Sequence, residues 1–349
     1  MKFTDFVDIE DNLSGFDPDE LISVCKRENN SKRDFIFVNR YQGKHVPARP
    51  QDILQLFETL RITISKDSRW NRKENVCIIG FAETATAIGH YIADNIPNKN
   101  YYYLQTTREK SNKQLLVEFK EEHSHATEQA LYGDLQKLQK CDRILFIDDE
   151  LSTGKTILNF INELEKIGKF QYSVASFLNL QSEEDEQKFK EKNIDTYCLI
   201  KGKIKDKNKK ISIEQLSDIE DLNVLRNEYE HPKTDLVIGT EEDMYNAILK
   251  AERLEKSNTS GKQYYFQAST RSPICPCNED DYVLYNRIRF VSAKDDSRIV
   301  YLYNLRQYDR IIVMANQSEE QSKDMKFAKE IYKKIKPLCN QLFLLPYGK

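Results

Sequence analysis

The sequence predicts an α/β protein: a parallel sheet flanked by helices, followed by a second α/β or α+β domain. Three observations carry that expectation. Short apolar runs, such as Val76–Ile79 and Ile144–Ile147, alternate with segments whose apolar residues recur at helical spacing. At 349 residues, and about 150 residues per domain, the chain has room for roughly two domains. A polar, acidic interval at 211–234 divides two such alternating stretches.

Taken in order, residues 1–34 are polar, acidic and then basic, and read as an N-terminal arm. Phe35–Tyr41 alternates apolar and polar, as a half-buried strand does. After Pro47 and Pro50, residues 51–62 carry helix-spaced apolars. Val76–Ile79 is a strand ending at Gly80, and Ile88, Ile92 and Ile96 behind it mark one helix face. Tyr101–Leu104 is the next strand. Residues 105–126 are polar without clear periodicity, which fits a long loop or ribbon. Ile144–Ile147 runs into Asp148, and Ile157, Ile161 and Leu164 form the stripe of the helix that follows. Residues 172–180 and 195–200 are further strands. The run 201–210, with six lysines, reads as a basic hairpin tip or a solvated turn. Past the 211–234 linker come a helix over about 241–256, strands around 264–268, 282–291 and 298–304, then strand, helix and strand to the end. The expected partition is an arm at 1–34, a first domain at 35–210, a linker at 211–234 and a second domain at 235–349.

Hydrophobic residues make up 39% of the chain, enough for a core, so full disorder is excluded. Lys and Arg number 53 against 56 Asp and Glu, a net charge of −3 that argues against a nucleic-acid coat or a membrane-surface binder. No window approaches the roughly 18 apolar residues of a membrane span. The acidic start lacks the apolar core of a signal peptide. Seven dispersed cysteines then read as reduced thiols, and a cytoplasmic location is expected.

The most informative segment is Arg143–Thr156, RILFIDDELSTGKT. An apolar strand delivers Asp148 and Asp149 to the sheet mouth, where ligands bind in open α/β folds. Paired carboxylates there accept hydrogen bonds from vicinal sugar hydroxyls and suit a water-rich Mg²⁺. Ser152, Thr153, Gly154, Lys155 and Thr156 supply hydroxyls and N–H groups at a helix start, a ready phosphate site. The tail Gly154-Lys155-Thr156 imitates a P-loop, but that motif needs glycine where Asp149 stands, and a carboxylate there repels phosphate.

Leu145–Asp149 with Thr153–Thr156 resembles the signature of the type I phosphoribosyltransferases, an apolar strand, two acids and a T-G-x-T loop. The resemblance implies a Rossmann-like parallel-sheet domain with a hood. It also implies that phosphoribosyl pyrophosphate (PRPP) is the donor, with Asp148 and Asp149 as catalytic residues on the ribose and on Mg²⁺ through water. Residues 152–156 would hold the 5′-phosphate. Gly80, Phe81, Ala82, Glu83 and Thr84, between a strand and a helix, fall where the family has its pyrophosphate loop; Glu83 suits pyrophosphate only with Mg²⁺ between them. The polar 105–126 stretch occupies the place of the hood, with Arg108, His123 and His125 as hood or acceptor candidates, alongside Lys44 in the Gly43–Pro47 segment.

Thr270-Arg271-Ser272-Pro273, behind such a domain, resembles the TRSP domain named for that tetrapeptide. That domain occurs in bacterial gene clusters linked to tellurite and stress resistance, where synthesis of a nucleoside-like metabolite is the proposed role. Arg271 between hydroxyls reads as an anion cradle. Cys275-Pro276-Cys277 is a weak zinc signal without a second pair, and Cys277 a conceivable reactive thiol. The expected function is Mg²⁺-dependent phosphoribosyl transfer from PRPP to a nitrogen of an unidentified small acceptor, with a homodimer common in the resembled family. A non-catalytic PRPP sensor stays open as the alternative, and a nucleic-acid factor acting through 201–210 is disfavoured by the acidic balance.

Overall fold

In the computed structural model, residues 1–28, 33–71, 74–97, 100–120, 128–227, 233–292, 298–315 and 322–347 are described. The chain starts with β1 (Val7–Asn12), α1 (Pro18–Leu21), the hairpin β2 (Ile22–Lys26) and β3 (Phe35–Asn39), and α2 (Pro50–Ser65). Then come β4 (Val76–Gly80), α3 (Thr86–Asn95), β5 (Tyr101–Thr107), β6 (Leu115–Lys120) and β7 (Glu128–Tyr132). They are followed by α4 (Leu135–Gln139), β8 (Arg143–Leu151), α5 (Lys155–Leu164), β9 (Gln171–Asn179), α6 (Glu183–Glu191) and β10 (Asp195–Ile204). The remainder comprises β11 (Thr234–Gly239), α7 (Tyr245–Lys256), β12 (Gln263–Ala268), β13 (Arg287–Val291), β14 (Ile299–Tyr303), β15 (Tyr308–Ala315), α8 (Ser322–Ile335) and β16 (Cys339–Pro346).

Two compact units result, and they do not follow the chain in order. One gathers residues 7–15 and 56–204; the other gathers 1–6, 16–55 and 205–349. This differs from the expected partition. Residues 35–55 pack with the C-terminal residues rather than with the first domain. The N-terminal arm is not an arm: β1 pairs antiparallel with β10, Val7 opposite Ile204. The supposed linker contributes to a core, because Ile211, Leu222 and Leu225 are buried apolar residues and burial of such side chains is what holds a segment down.

The first unit is an eight-stranded sheet in the order β1-β10-β9-β8-β4-β5-β7-β6. Strands β10, β9, β8, β4 and β5 run parallel. Each is a short apolar run, and β4 is buried at every position, as expected of a strand covered on both faces. From β4 the chain moves to β5 on one side and returns with β8 on the other. The strand order therefore reverses between β4 and β8, where the carboxyl ends leave a crevice. The lysine run is half strand: Lys201 and Lys203 lie on β10, with Lys201 Nζ 2.8 Å from Glu186 and 3.5 Å from Glu10. That accounts for part of its charge without a basic patch.

The second unit is built on a four-stranded sheet, β12-β11-β15-β16, parallel throughout. Its core joins Leu236, Ile238, Ile311 and Val313 from the sheet to Phe327 and Ile331 from α8. The antiparallel pairs β13–β14 and β2–β3 belong to the same unit. Cys25, Cys277, Val38 and Tyr303 pack in a further apolar cluster there.

Candidate active site

The two segments singled out in the first unit meet at the reversal point. Gly80 stands opposite Ile147 in the β4–β8 pairing, and the Phe81 N–H donates to the Ile147 carbonyl at 3.0 Å. One residue past Ile147 come Asp148 and Asp149, both half-buried. The Asp148 carboxylate accepts from the Asp149 N–H at 2.9 Å, which fixes one acid relative to the other. Strand β8 continues to Leu151, and Ser152 and Thr153 turn the chain into α5.

Gly154 caps α5 with φ of 71°, the left-handed region open to glycine. A Cβ there would lie 2.4 Å from the Phe189 ring on α6 and 3.2 Å from Gln181 Nε2. The loop thus rests directly on α6, and only glycine permits it. Lys155 is exposed at the first position of α5, and its N–H donates to Thr153 Oγ1 at 3.4 Å. Beneath the loop, both amide atoms of the buried Gln181 side chain lack a hydrogen-bond partner.

The Gly80–Thr84 loop is held from two sides. Its Ala82–Glu83 peptide is cis. The Ala82 N–H donates to Thr106 Oγ1 at 2.8 Å, and the Gln129 amide donates to the Ala82 carbonyl at 3.3 Å. Thr106 and Gln129 are also bonded to each other, and both are buried. Phe81 is core: its ring lies 5.9 Å from Phe146, 5.9 Å from Phe160 and 6.1 Å from Phe119, leaving only its backbone for a ligand. Glu83 and Thr84 are half-buried. Gly80 is constrained as well, since a Cβ would meet the Ala85 carbonyl at 2.9 Å. Tyr103 donates to the Thr86 carbonyl at 2.8 Å and pins the start of α3.

The remaining candidates are scattered. Arg108 is half-buried just beyond β5. Within the 105–126 stretch, residues 105–107 close β5 and 115–120 form β6, which pairs antiparallel with β7; residues 121–126, His123 and His125 among them, lie outside the described residues. Lys44 belongs to the other unit, fully buried, donating to the carbonyls of Glu241 and Ser269 at 3.1 Å each. Arg271 is no open cradle: its Nη2 donates to Glu242 at 2.7 Å, and Nε lies 3.6 Å from Glu241. Thr270 is buried, and Ser272 and Pro273 are half-buried. Cys275 and Cys277 are buried, and burial pushes both thiols up, against a reactive thiolate. Among the described residues no group of three or more His, Cys, Asp or Glu is placed to hold a metal.

Thr106 lies in the stretch the sequence assigns to the hood; Gln129, Gln181 and Phe189 are the residues beside these loops that sequence reading missed. Only Phe189 had a signal, as the lone apolar residue of a helix opened by the Ser182–Asp185 cap.

The crevice at a strand-order reversal, flanked by a strand-to-helix loop on each side, defines an open parallel α/β domain of the ligand-binding kind. Comparison with known families narrows this. The family described as phosphoribosyl transferase matches residues 21–203, and the one described as the TRSP domain C-terminal to it matches residues 205–332. The chain belongs to this phosphoribosyltransferase family and carries the TRSP domain behind it. It is a phosphoribosyltransferase, acting in PRPP-dependent phosphoribosyl transfer.

No curated protein matches the chain. Similar solved structures include an adenine phosphoribosyltransferase from Giardia lamblia, 15% identical over 51% of this chain and 93% of that one, with a TM-score of 0.39. That from Trypanosoma brucei is 12% identical over 59% and 88%, with a TM-score of 0.41. That from Saccharomyces cerevisiae is 12% identical over 52% and 94%, with a TM-score of 0.36. Among the described residues, no helix is long and apolar enough to cross a membrane.

Proposed function

We propose that the chain transfers the phosphoribosyl group of PRPP to a nitrogen of a small acceptor, in synthesis of a nucleotide-like metabolite. The observation that carries this reading is the meeting of two loops on adjacent strands: Phe81 bonded to Ile147 places Gly80–Thr84 beside Asp148 and Asp149. Asp148 and Asp149 accept the ribose hydroxyls. Ser152, Thr153, Gly154, Lys155 and Thr156 hold the 5′-phosphate at the α5 N-terminus. The backbone of Gly80–Thr84 faces the pyrophosphate, and Arg108 adds positive charge at the end of β5. The C1′–oxygen bond to pyrophosphate breaks as the C1′–nitrogen bond forms, and the acceptor nitrogen gives up its proton.

The donor set fits Mg²⁺. Two half-buried carboxylates at one strand end match an ion that keeps several waters and takes its other ligands from substrate phosphates. When bound, Mg²⁺ neutralises charge on the leaving pyrophosphate. The loop positions held by Thr106 and Gln129 would be set before substrate arrives, so the binding groups need little rearrangement.

The test is pyrophosphate release from PRPP and Mg²⁺ with pooled bases and a metabolite extract. Asp148→Asn with Asp149→Asn is expected to abolish acceptor-dependent release while leaving the far-ultraviolet circular dichroism unchanged. Full activity in that double variant would remove the assignment of the acids. PRPP binding by calorimetry without release from any acceptor would point instead to a sensor.

A further inference from the structure

We propose that Gln181 is a positioning residue for the Ser152–Thr156 loop assigned above to the 5′-phosphate: its buried side-chain amide is the partner on which the Thr153–Gly154 peptide settles when a phosphoryl group is held at the start of α5. The inference deepens the phosphoribosyl-transfer reading and rests on it for the identity of the ligand.

A helix start attracts anions in general, and α5, ten residues long, offers one. Gln181 adds a second, independent observation. The residue is 1% exposed, and neither its Nε2 nor its Oε1 has a hydrogen-bond partner. Burying an amide without partners costs stability, and such groups are rare in folded proteins. Its place is specific. Nε2 lies 3.2 Å from the position a Gly154 Cβ would take, on the side of the loop that faces the Phe189 ring.

The backbone that carries this amide is pinned. Strands β8 and β9 pair as far as Leu151 and Asn179. The Leu180 N–H donates to the Leu151 carbonyl at 2.8 Å, and the Gln181 N–H donates to Asn179 Oδ1 at 3.0 Å. One residue on, the Ser182 hydroxyl accepts from the Asp185 N–H at 3.2 Å and caps α6. The amide therefore stands on a fixed segment, while the loop above it turns at a glycine.

The geometry of the peptide group gives the amide its task. In a trans peptide the N–H and the C=O point in opposite directions. A loop that turns its N–H groups outward to a phosphate thereby turns the matching carbonyls inward. For the trans peptide joining Thr153 to Gly154, the inner side is the side of Gln181. The Gly154 carbonyl already accepts from the Leu158 N–H at 3.0 Å, which leaves the Thr153 carbonyl as the loop acceptor beside the glycine. Gln181 gives up no existing bond to donate to it. Phosphate binding thus gains a hydrogen bond that the loop alone does not make.

The experiment is calorimetry on the full chain with Mg²⁺, using ribose 5-phosphate and pyrophosphate as separate probes, for the wild type, Gln181→Met and Gln181→Leu. Methionine matches the length of the side chain and removes its polar atoms. Both variants are expected to weaken ribose 5-phosphate binding about fivefold to tenfold, the worth of one hydrogen bond. Pyrophosphate binding, assigned to Gly80–Thr84, is expected to stay unchanged. The urea midpoint is expected to hold or rise, because apolar atoms replace an unsatisfied amide. Unchanged ribose 5-phosphate affinity in both variants, or equal losses for the two probes with a lowered midpoint, would overturn the proposal and leave the phosphoribosyl reading standing. A wild type that binds neither probe would remove that reading and the role of Gln181 with it.

Discussion

Gly154→Ala is the sharpest perturbation of the turn that leads into α5. The native residue has φ of 71° and sits 2.4 Å, at its absent Cβ, from the Phe189 ring. Holding a non-glycine residue in that backbone region costs about 1–2 kcal/mol. Forcing a methyl group against a packed ring adds about 1–3 kcal/mol. The sum, about 2–5 kcal/mol, divided by a urea dependence of about 2 kcal/mol per molar, lowers the midpoint by about 1–2.5 M. The chain provides its own probe. Its one tryptophan, Trp70, is in the same compact unit as Gly154, and its indole N–H donates to Tyr197 at 3.0 Å. Trp70 fluorescence in urea therefore follows that unit alone, which avoids fitting two units as one transition. Phe189→Ala in the Gly154→Ala background separates the terms: the ring contact disappears and the backbone cost stays. A midpoint shifted by less than about 0.3 M in Gly154→Ala would refute both the left-handed cap and the contact with α6.

Two further outcomes follow from the same unit. Thr106→Val strands the buried Ala82 N–H, at a cost of about 1–3 kcal/mol. It should lower the Trp70 midpoint and raise KM for PRPP more than it lowers kcat, which a Michaelis series with any productive acceptor would measure. The Arg69 guanidinium, with Tyr197 and a backbone N–H, holds the Asp67 carboxyl well below the usual carboxylate range. A depressed carboxyl stabilises the fold above its unfolded value of about 4, and that contribution is lost as pH falls below about 4. Asp67→Asn should therefore flatten the acid limb of the Trp70-monitored stability profile while reducing stability at neutral pH; an unchanged acid limb would disprove the linkage.

The parts legible in the sequence were those whose partners lie nearby or whose pattern is apolar. Val76–Ile79 and Ile144–Ile147 announce buried parallel strands, and Gly154 announces a tight left-handed turn into a helix, because local sterics fix both. The β1 strand was illegible. Its residues VDIEDN are acid-rich, as suits an edge strand, and its partner β10 lies almost two hundred positions away. Leu222 and Leu225 were hidden in an acidic interval whose composition resembles a linker. The roles of Thr106, Gln129 and Lys44 as buried ties were illegible for another reason: a buried polar side chain looks like a surface one until its hydrogen-bond partners are known.

The interleaving of the two units has a consequence for how the chain is made. The path crosses between units after residues 6, 15, 55 and 204. Residues 16–55 leave the ribosome with the β2–β3 hairpin and Lys44, yet the strands they pack with begin only at Thr234. At about 5–20 residues per second, the nascent hairpin waits roughly ten seconds or longer for its sheet, while the intervening stretch can close first around β4 and β8. A gene fragment starting at residue 205 would therefore encode a TRSP unit without its opening hairpin and without the lysine that ties its strand ends together.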